Sequence, residues 1–287
     1  MCNLFLCLGR GRYKLIVVSQ RDEELSRPTA EAQWRDGILG GTDLKDHARG
    51  TWFGVNKYGR VGILLSITQP KHTKKVGAPS RGAIVKDFLS ASVLNANDFC
   101  EEIAEKATDY NGFQFVALNP EAAATYSMRT VTSMFVDEVT VRKWTPGVHV
   151  LGNCPPDRPF KKVKRGEKLW ADGLDEALEL PEDRNVAEKL LAIIDDRESC
   201  FPDHQLALQV GLPEDCPQLE PLSALRIVFP KGSGVDYGTR CYTVLLVRHD
   251  GSSYLLERRL VGEGLPIDAE HPKWDTVEHW FDVEQPH

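Results

Sequence analysis

The sequence predicts an α+β fold in which two antiparallel sheets stack on one another and helices cover their outer faces. Three observations predict it. Strand-forming segments gather at both ends of the chain, helical periodicity is confined to stretches between them, and short turns join neighbouring strands. At 287 residues the chain can bury a substantial core, and one domain over residues 1–287 is expected.

The elements follow in order. Residues 2–8 and 13–19 are rich in strand formers and flank a turn-like Gly9-Arg10-Gly11-Arg12. A turn centred between Arg10 and Gly11 sets Cys2 opposite Ser19 and brings Gln20-Arg21-Asp22-Glu23 beside the N-terminus. Short extended pieces around Trp34 and Ile38 precede a second hairpin, 51–55 and 60–68, turning at Asn56-Lys57-Tyr58-Gly59. Its arm Val61-Gly62-Ile63-Leu64-Leu65 reads as a strand covered on both faces. Spacings of three and four predict helices over 81–92 and 97–108, the second capped by Asn97. Strands are expected at 112–118, 125–128 and 134–141. A long Pro-, Gly- and charge-rich loop is expected over 142–184 and a helix over 185–196. Strands at 225–229, 239–247 and 254–260 complete the chain.

Composition narrows the function. An apolar fraction of 41% with 27% charged residues is that of a globular protein. A net charge of −7 argues against nucleic acid as a partner. Two basic runs, Lys71-His72-Thr73-Lys74-Lys75 and Lys161-Lys162-Val163-Lys164-Arg165, are either solvated loops or a patch for phosphates or an anionic carboxylate. Seven scattered cysteines without a CxxC pattern imply reduced thiols rather than disulfides or a zinc site. With neither a secretory leader nor an apolar run of about 20 residues, a soluble cytoplasmic protein without stable membrane insertion is expected.

The N-terminus carries the chemistry. Removal of the initiator Met would leave Cys2 with a thiol and an α-amine on one residue, so that the amine can serve the thiol as general base. Arg21 then supplies a cation favouring thiolate, Asp22 a carboxylate to hold the amine, and Gln20 a polar donor. The same residues also read as a surface ion-pair cluster.

Met1-Cys2, the hairpin, Gln20-Arg21-Asp22-Glu23 and Ser26-Arg27-Pro28-Thr29 resemble the family named for an Asn-Arg-Asp-Glu motif, transport and Golgi organisation protein 2. Further matches are Gly50-Thr51-Trp52-Phe53-Gly54, Gln69-Pro70, Arg81-Gly82, Tyr110-Asn111-Gly112-Phe113, Leu151-Gly152-Asn153 and Tyr237-Gly238-Thr239-Arg240. The resemblance runs the length of the chain. It implies an N-terminal-nucleophile-hydrolase-like, four-layer α/β/β/α sandwich, with Asn153 and Arg240 as later contributors to the pocket. Gln20 stands where the motif has Asn, and Ser66 where an Asn oxyanion donor is expected.

The family is also associated with intracellular haem trafficking. Cys154-Pro155 and Cys216-Pro217 are Cys-Pro pairs of a kind found at some reversible haem sites, which makes Cys154 and Cys216 candidate iron ligands. The histidines show no metal-spaced pair. Haem could be held instead through its propionates by Arg21, Arg240 or the Lys161–Arg165 run. The expectation is therefore a carrier of haem, or of another amphipathic anionic small molecule, exchanging it with donor or acceptor proteins. Any visit to mitochondria or Golgi would be peripheral. Gln20, Arg21, Glu23, Ser66 and Arg240 are its candidate ligand-binding residues. The alternative is an amidohydrolase or acyltransferase with Cys2 as nucleophile, supported by Arg21, Asp22 and Asn153.

Overall fold

In a computed structural model, described over residues 1–90, 95–121, 125–230, 232–261 and 272–284, the strands form two antiparallel sheets. The chain opens with β1 (Asn3–Arg10), β2 (Tyr13–Glu23), β3 (Thr29–Arg35), β4 (Ile38–Asp43), β5 (Phe53–Asn56) and β6 (Val61–Ser66). Two helices follow, α1 (Arg81–Ser90) and α2 (Ala96–Glu105), then β7 (Phe113–Glu121), β8 (Thr125–Thr132), β9 (Val141–Trp144) and β10 (Gly147–Gly152). Next come α3 (Lys161–Leu178), α4 (Asp183–Ile194) and α5 (His204–Val210). The last strands are β11 (Gly238–Arg248), β12 (Ser252–Val261) and β13 (Lys273–Asp282).

One sheet has the order β10-β1-β2-β11-β12-β13 and the other β3-β4-β5-β6-β7-β8-β9. Helices α1 and α2 pack on the second sheet, α3 and α4 on the first. Three apolar clusters fill the three gaps of this α/β/β/α stack. Leu4, Leu6, Leu15 and Val17 of the first hairpin meet Val55, Ile63 and Val116 between the sheets. Phe5, Ile16 and Val18 point the other way, into the cluster beneath α3 and α4. Ile84, Phe88 and Phe99 close the gap beneath α1 and α2. Because successive strand residues face opposite sides, both faces of the hairpin must be apolar here, as Tyr13-Lys14-Leu15-Ile16-Val17-Val18 nearly is.

Several expectations are corrected. In the first hairpin Asn3 pairs with Gln20 and Arg10 with Tyr13, so Cys2 extrapolates to Arg21 rather than Ser19. The turn is displaced because Gly11, at φ 58°, supplies the left-handed residue that closes it. Asn95, not Asn97, caps α2, its side chain accepting from the Asn97 and Asp98 amides. No strand fills 134–140: β8 runs on to Thr132, and the chain then turns through Phe135 at φ 58°.

The expected loop over 142–184 holds most of β9, all of β10 and all of α3. Val163, Trp170, Leu174 and Ala177 form a buried stripe on α3 that the surrounding charges obscure in a linear reading. Trp170 meets Phe5 of β1 at 5.3 Å; truncating so buried an aromatic costs about 3–5 kcal/mol. Residues 225–229 are buried at Leu225 and Ile227 but join no ladder, because Ile227 is engaged by the Thr239 backbone amide and hydroxyl. Helix α5 and strand β13 were not anticipated. No described helix is long and apolar enough to cross a membrane.

Candidate functional site

The N-terminal end of the β1–β2 hairpin forms one wall of a cavity of about 1310 Å³. Met1 is buried there, its amino group within 3.4 Å of Asp22 Oδ2 and hydrogen-bonded to the Tyr237 hydroxyl. Burial pulls this amine below its usual range, with Asp22 the main opposing influence. Cys2 lines the cavity and its Sγ lies 3.9 Å from the Asp22 carbonyl oxygen. Burial pushes its thiol up, and the neighbouring ammonium and Arg21 oppose this only in part. With Met1 in place, the thiol form is favoured.

The residues after Gln20 alternate between supporting and lining roles. Gln20 is fully buried behind the wall, donating to the Leu225 carbonyl at 2.5 Å and to Asp22 Oδ1 at 3.1 Å. The Thr239 hydroxyl also donates to Asp22 Oδ1, at 2.6 Å. Gln20 thus holds Asp22 in place and does not reach the cavity.

Arg21 does reach it, yet its charge is already met. Its Nη2 lies 3.5 Å from Glu23 Oε2 and 3.8 Å from Asp43 Oδ2, and its guanidinium sits 4.2 Å over the Trp52 ring. Arg27 shares the same carboxylates, 2.7 Å from Asp43 and 4.0 Å from Glu23. Behind Trp52, Glu257 is buried against Gly41 and accepts from the Ala32 amide at 2.7 Å. Burial raises its carboxyl to about 7, with the Ala32 hydrogen bond and Arg259 opposing.

Ser66 and Asn153 line the cavity with Cys2, Arg21, Asp22 and Glu23. Asn153 donates to the Ser66 carbonyl through Nδ2, and its buried Oδ1 has no hydrogen-bond partner among the described residues. Arg240 is elsewhere: its guanidinium donates to the carbonyls of Glu24 and Arg27, pinning the loop after β2. Cys154 is buried beneath α3, where its sulfur accepts from the Phe160 amide at 3.4 Å and burial pushes its thiol up to about 12. Cys216 caps a short 3-10 turn, and neither of these cysteines lines the cavity. All seven cysteines are free, and no metal-binding cluster of three or more His, Cys, Asp or Glu side chains occurs among the described residues.

The two basic runs part company. Lys161–Arg165 opens α3 and is not a loop. Lys162 is fully buried with its Nζ donating to the Ala224 carbonyl at 3.2 Å, and burial lowers its ammonium against the pull of Asp22. Lys71, His72 and Lys74 instead line the cavity, as does Arg81.

Sequence reasoning gave Tyr237 no role, favoured plain packing over pocket lining for Trp52, and gave Arg81 no role, although each lies in a motif already singled out. Gly50 and Gly82 explain the last two. A Cβ on Gly50 would come within 2.4 Å of the Gly82 carbonyl carbon, so two glycines let the segment before β5 touch the start of α1. The Thr51 amide then donates to the Gly82 carbonyl, and Trp52 and Arg81 are carried onto the cavity wall together.

The chain matches the family model described as Transport and Golgi organisation 2 over residues 1–262. It is 28% identical to the Transport and Golgi organization protein 2 homolog of Bos taurus, covering 98% of this chain and 99% of that protein. It is 27% identical to the Homo sapiens homolog, over 99% and 100% of the two chains. The Drosophila melanogaster Transport and Golgi organization protein 2 is 28% identical, over 96% of each. Among solved structures, two variants of the conjugated bile acid hydrolase from Clostridium perfringens align with TM-scores of 0.41 and 0.45. They share 11% and 9% identity with this chain and cover 100% and 99% of it and 97% of their own.

Proposed function

We propose, from the premise that the chain belongs to the Transport and Golgi organisation 2 family, that it carries an amphipathic anion, haem first among the candidates. The ligand would sit in the cavity beside the N-terminal hairpin and pass from there to a protein partner. One observation carries this reading: a cavity of about 1310 Å³ that joins apolar side chains (Trp52, Leu64, Leu222 and Phe229) to cationic ones. Pockets for drug-sized ligands run to roughly 300–1,000 Å³, so there is room for a large planar molecule. Cys2 and His72 place a thiol and an imidazole on its wall. A spectroscopic titration with haem tests the proposal. A saturable Soret change near one equivalent is expected, weakened by Cys2→Ala or His72→Ala if either side chain ligates iron. A flat titration at stoichiometric protein sinks it.

A second reading is favoured by Asp22, whose Oδ2 lies 3.4 Å from the terminal nitrogen. If Met1 were removed, Cys2 would carry the terminal amine, Asp22 would orient it, and Asn153 Nδ2, with one N–H on the Ser66 carbonyl, would turn the other toward an oxyanion on an amide or acyl thioester substrate. That mechanism requires a processed N-terminus. Intact mass spectrometry showing Met1 retained would end it, whereas a processed chain labelled at Cys2 by an acyl probe would advance it.

A further inference from the structure

Several of the buried and partly buried arginines in this protein are balanced by carboxylates. Arg165 pairs with Asp196, Arg226 with Asp195, Arg248 with Asp183 and Arg259 with Glu31. Arg81 differs. It lies partly buried on the cavity wall, donates to the Gly112 carbonyl at 2.7 Å, and has no carboxylate at ion-pair distance among the described residues. Lys74 lies on the same wall, and its ammonium has no hydrogen-bonded or ion-paired partner among the described residues. Burial disfavours the Arg81 charge, Arg81 repels Lys74, and the more distant carboxylate of Glu23 offsets this only in part for either cation. A partly desolvated guanidinium with no directly paired carboxylate gains from an anion that reaches it, and the exposed Lys74 adds a second positive charge beside it.

We infer that Arg81 and Lys74 form the docking site for the acid group of the cavity's ligand, a carboxylate or phosphate on an amphipathic molecule. The inference rests on the carrier reading in taking this cavity to be where the ligand sits. Lys74 belongs to a basic run singled out in the sequence, whereas the cations expected to hold haem propionates are otherwise engaged. Arg21 faces Glu23 and Asp43, Arg240 holds backbone carbonyls, and in the 161–165 run Lys162 is buried and Arg165 is paired. Arg81 offers a planar fork suited to two acid oxygens. It also opens α1, whose first turn contains no acidic residue to compete.

Calorimetric titration of the full chain with decanoate, decyl phosphate and decanol tests this. Both acids should bind more tightly than the alcohol, and their relative affinities tell a carboxylate ligand from a phosphate one. The double variant Arg81→Gln/Lys74→Gln should weaken both acids about tenfold or more while leaving decanol unchanged. Should the double variant fail to fold, Lys74→Gln alone keeps the test open, because that side chain is exposed. Arg81→Lys should recover part of the loss. Acids that bind no better than decanol, or equally well to the double variant, overturn the inference. Parallel titrations with haemin and its dimethyl ester separate it from the carrier reading. If haemin fails to bind but decanoate still depends on Arg81, haem carriage falls and the docking site stands. If haemin binds and the double variant does not weaken it relative to the ester, the docking site falls and carriage stands.

Discussion

The two walls of the cavity handle charge in opposite ways. On the hairpin wall, Arg21 and Arg27 face Glu23 and Asp43, two cations against two carboxylates, with Trp52 stacked beneath Arg21. Elsewhere on the lining, Arg81 and Lys74 have no carboxylate at ion-pair distance among the described residues. The first wall is complete without ligand, and its charges hold the protein's own structure. The second becomes complete only with an anion in the cavity. Conspicuous charge in a sequence motif therefore marks architecture here, and the less conspicuous Arg81 marks recognition.

That contrast can be broken in three places. The largest effect is expected behind the hairpin wall, at Glu257. Its carboxyl moves from 4.5 in the unfolded chain to about 7 when buried, so between those values the folded state holds the proton more tightly. Stability should fall as pH rises through that window, by about 3 kcal/mol in all. Glu257→Gln should flatten the fall, and denaturant unfolding across pH 4 to 8 reads it. An unchanged slope would mean that this carboxyl does not titrate there.

A smaller loss is expected from Asp43→Asn, which leaves Arg21 and Arg27 short of a counter-charge while keeping the Oδ1 acceptor for the Lys45 and Asp46 amides. About 2 kcal/mol is the expected loss in urea unfolding. The smallest effect belongs to Arg81→Gln, within about 1 kcal/mol of the parent, since it removes a cation with no directly paired carboxylate and one carbonyl contact. Equal losses for these two variants would erase the distinction between the walls.

Legibility followed the range of the interactions. The β1–β2 hairpin, β5–β6, α1, α2, α4 and β11–β12 could be read because each is fixed by periodicity and turns within a few residues. Cys2, Asp22 and Glu23 were placed together because a hairpin brings near neighbours in sequence to one end. Helix α3 was hidden by composition. Its apolar stripe is narrow and interleaved with lysines, one of which, Lys162, is itself buried, so nothing local separates it from a charged loop. Strand β13 and the path of 225–229 depend on partners already in place: β13 pairs with β12, and Ile227 is claimed by Thr239.

The sequence by itself determined the layered α+β class, the hairpin that presents Cys2, and the residue types near it, because these rest on alternation and short-range pairing. Only the tertiary structure decided which charges are satisfied. Arg21 meets Asp43 and Arg240 meets the Arg27 carbonyl through strand pairing and loop closure. Arg81 reaches the cavity because Gly50 and Gly82 touch. A side chain's charge is written in the sequence, but its counter-charge is set by distances that only the packed sheets fix.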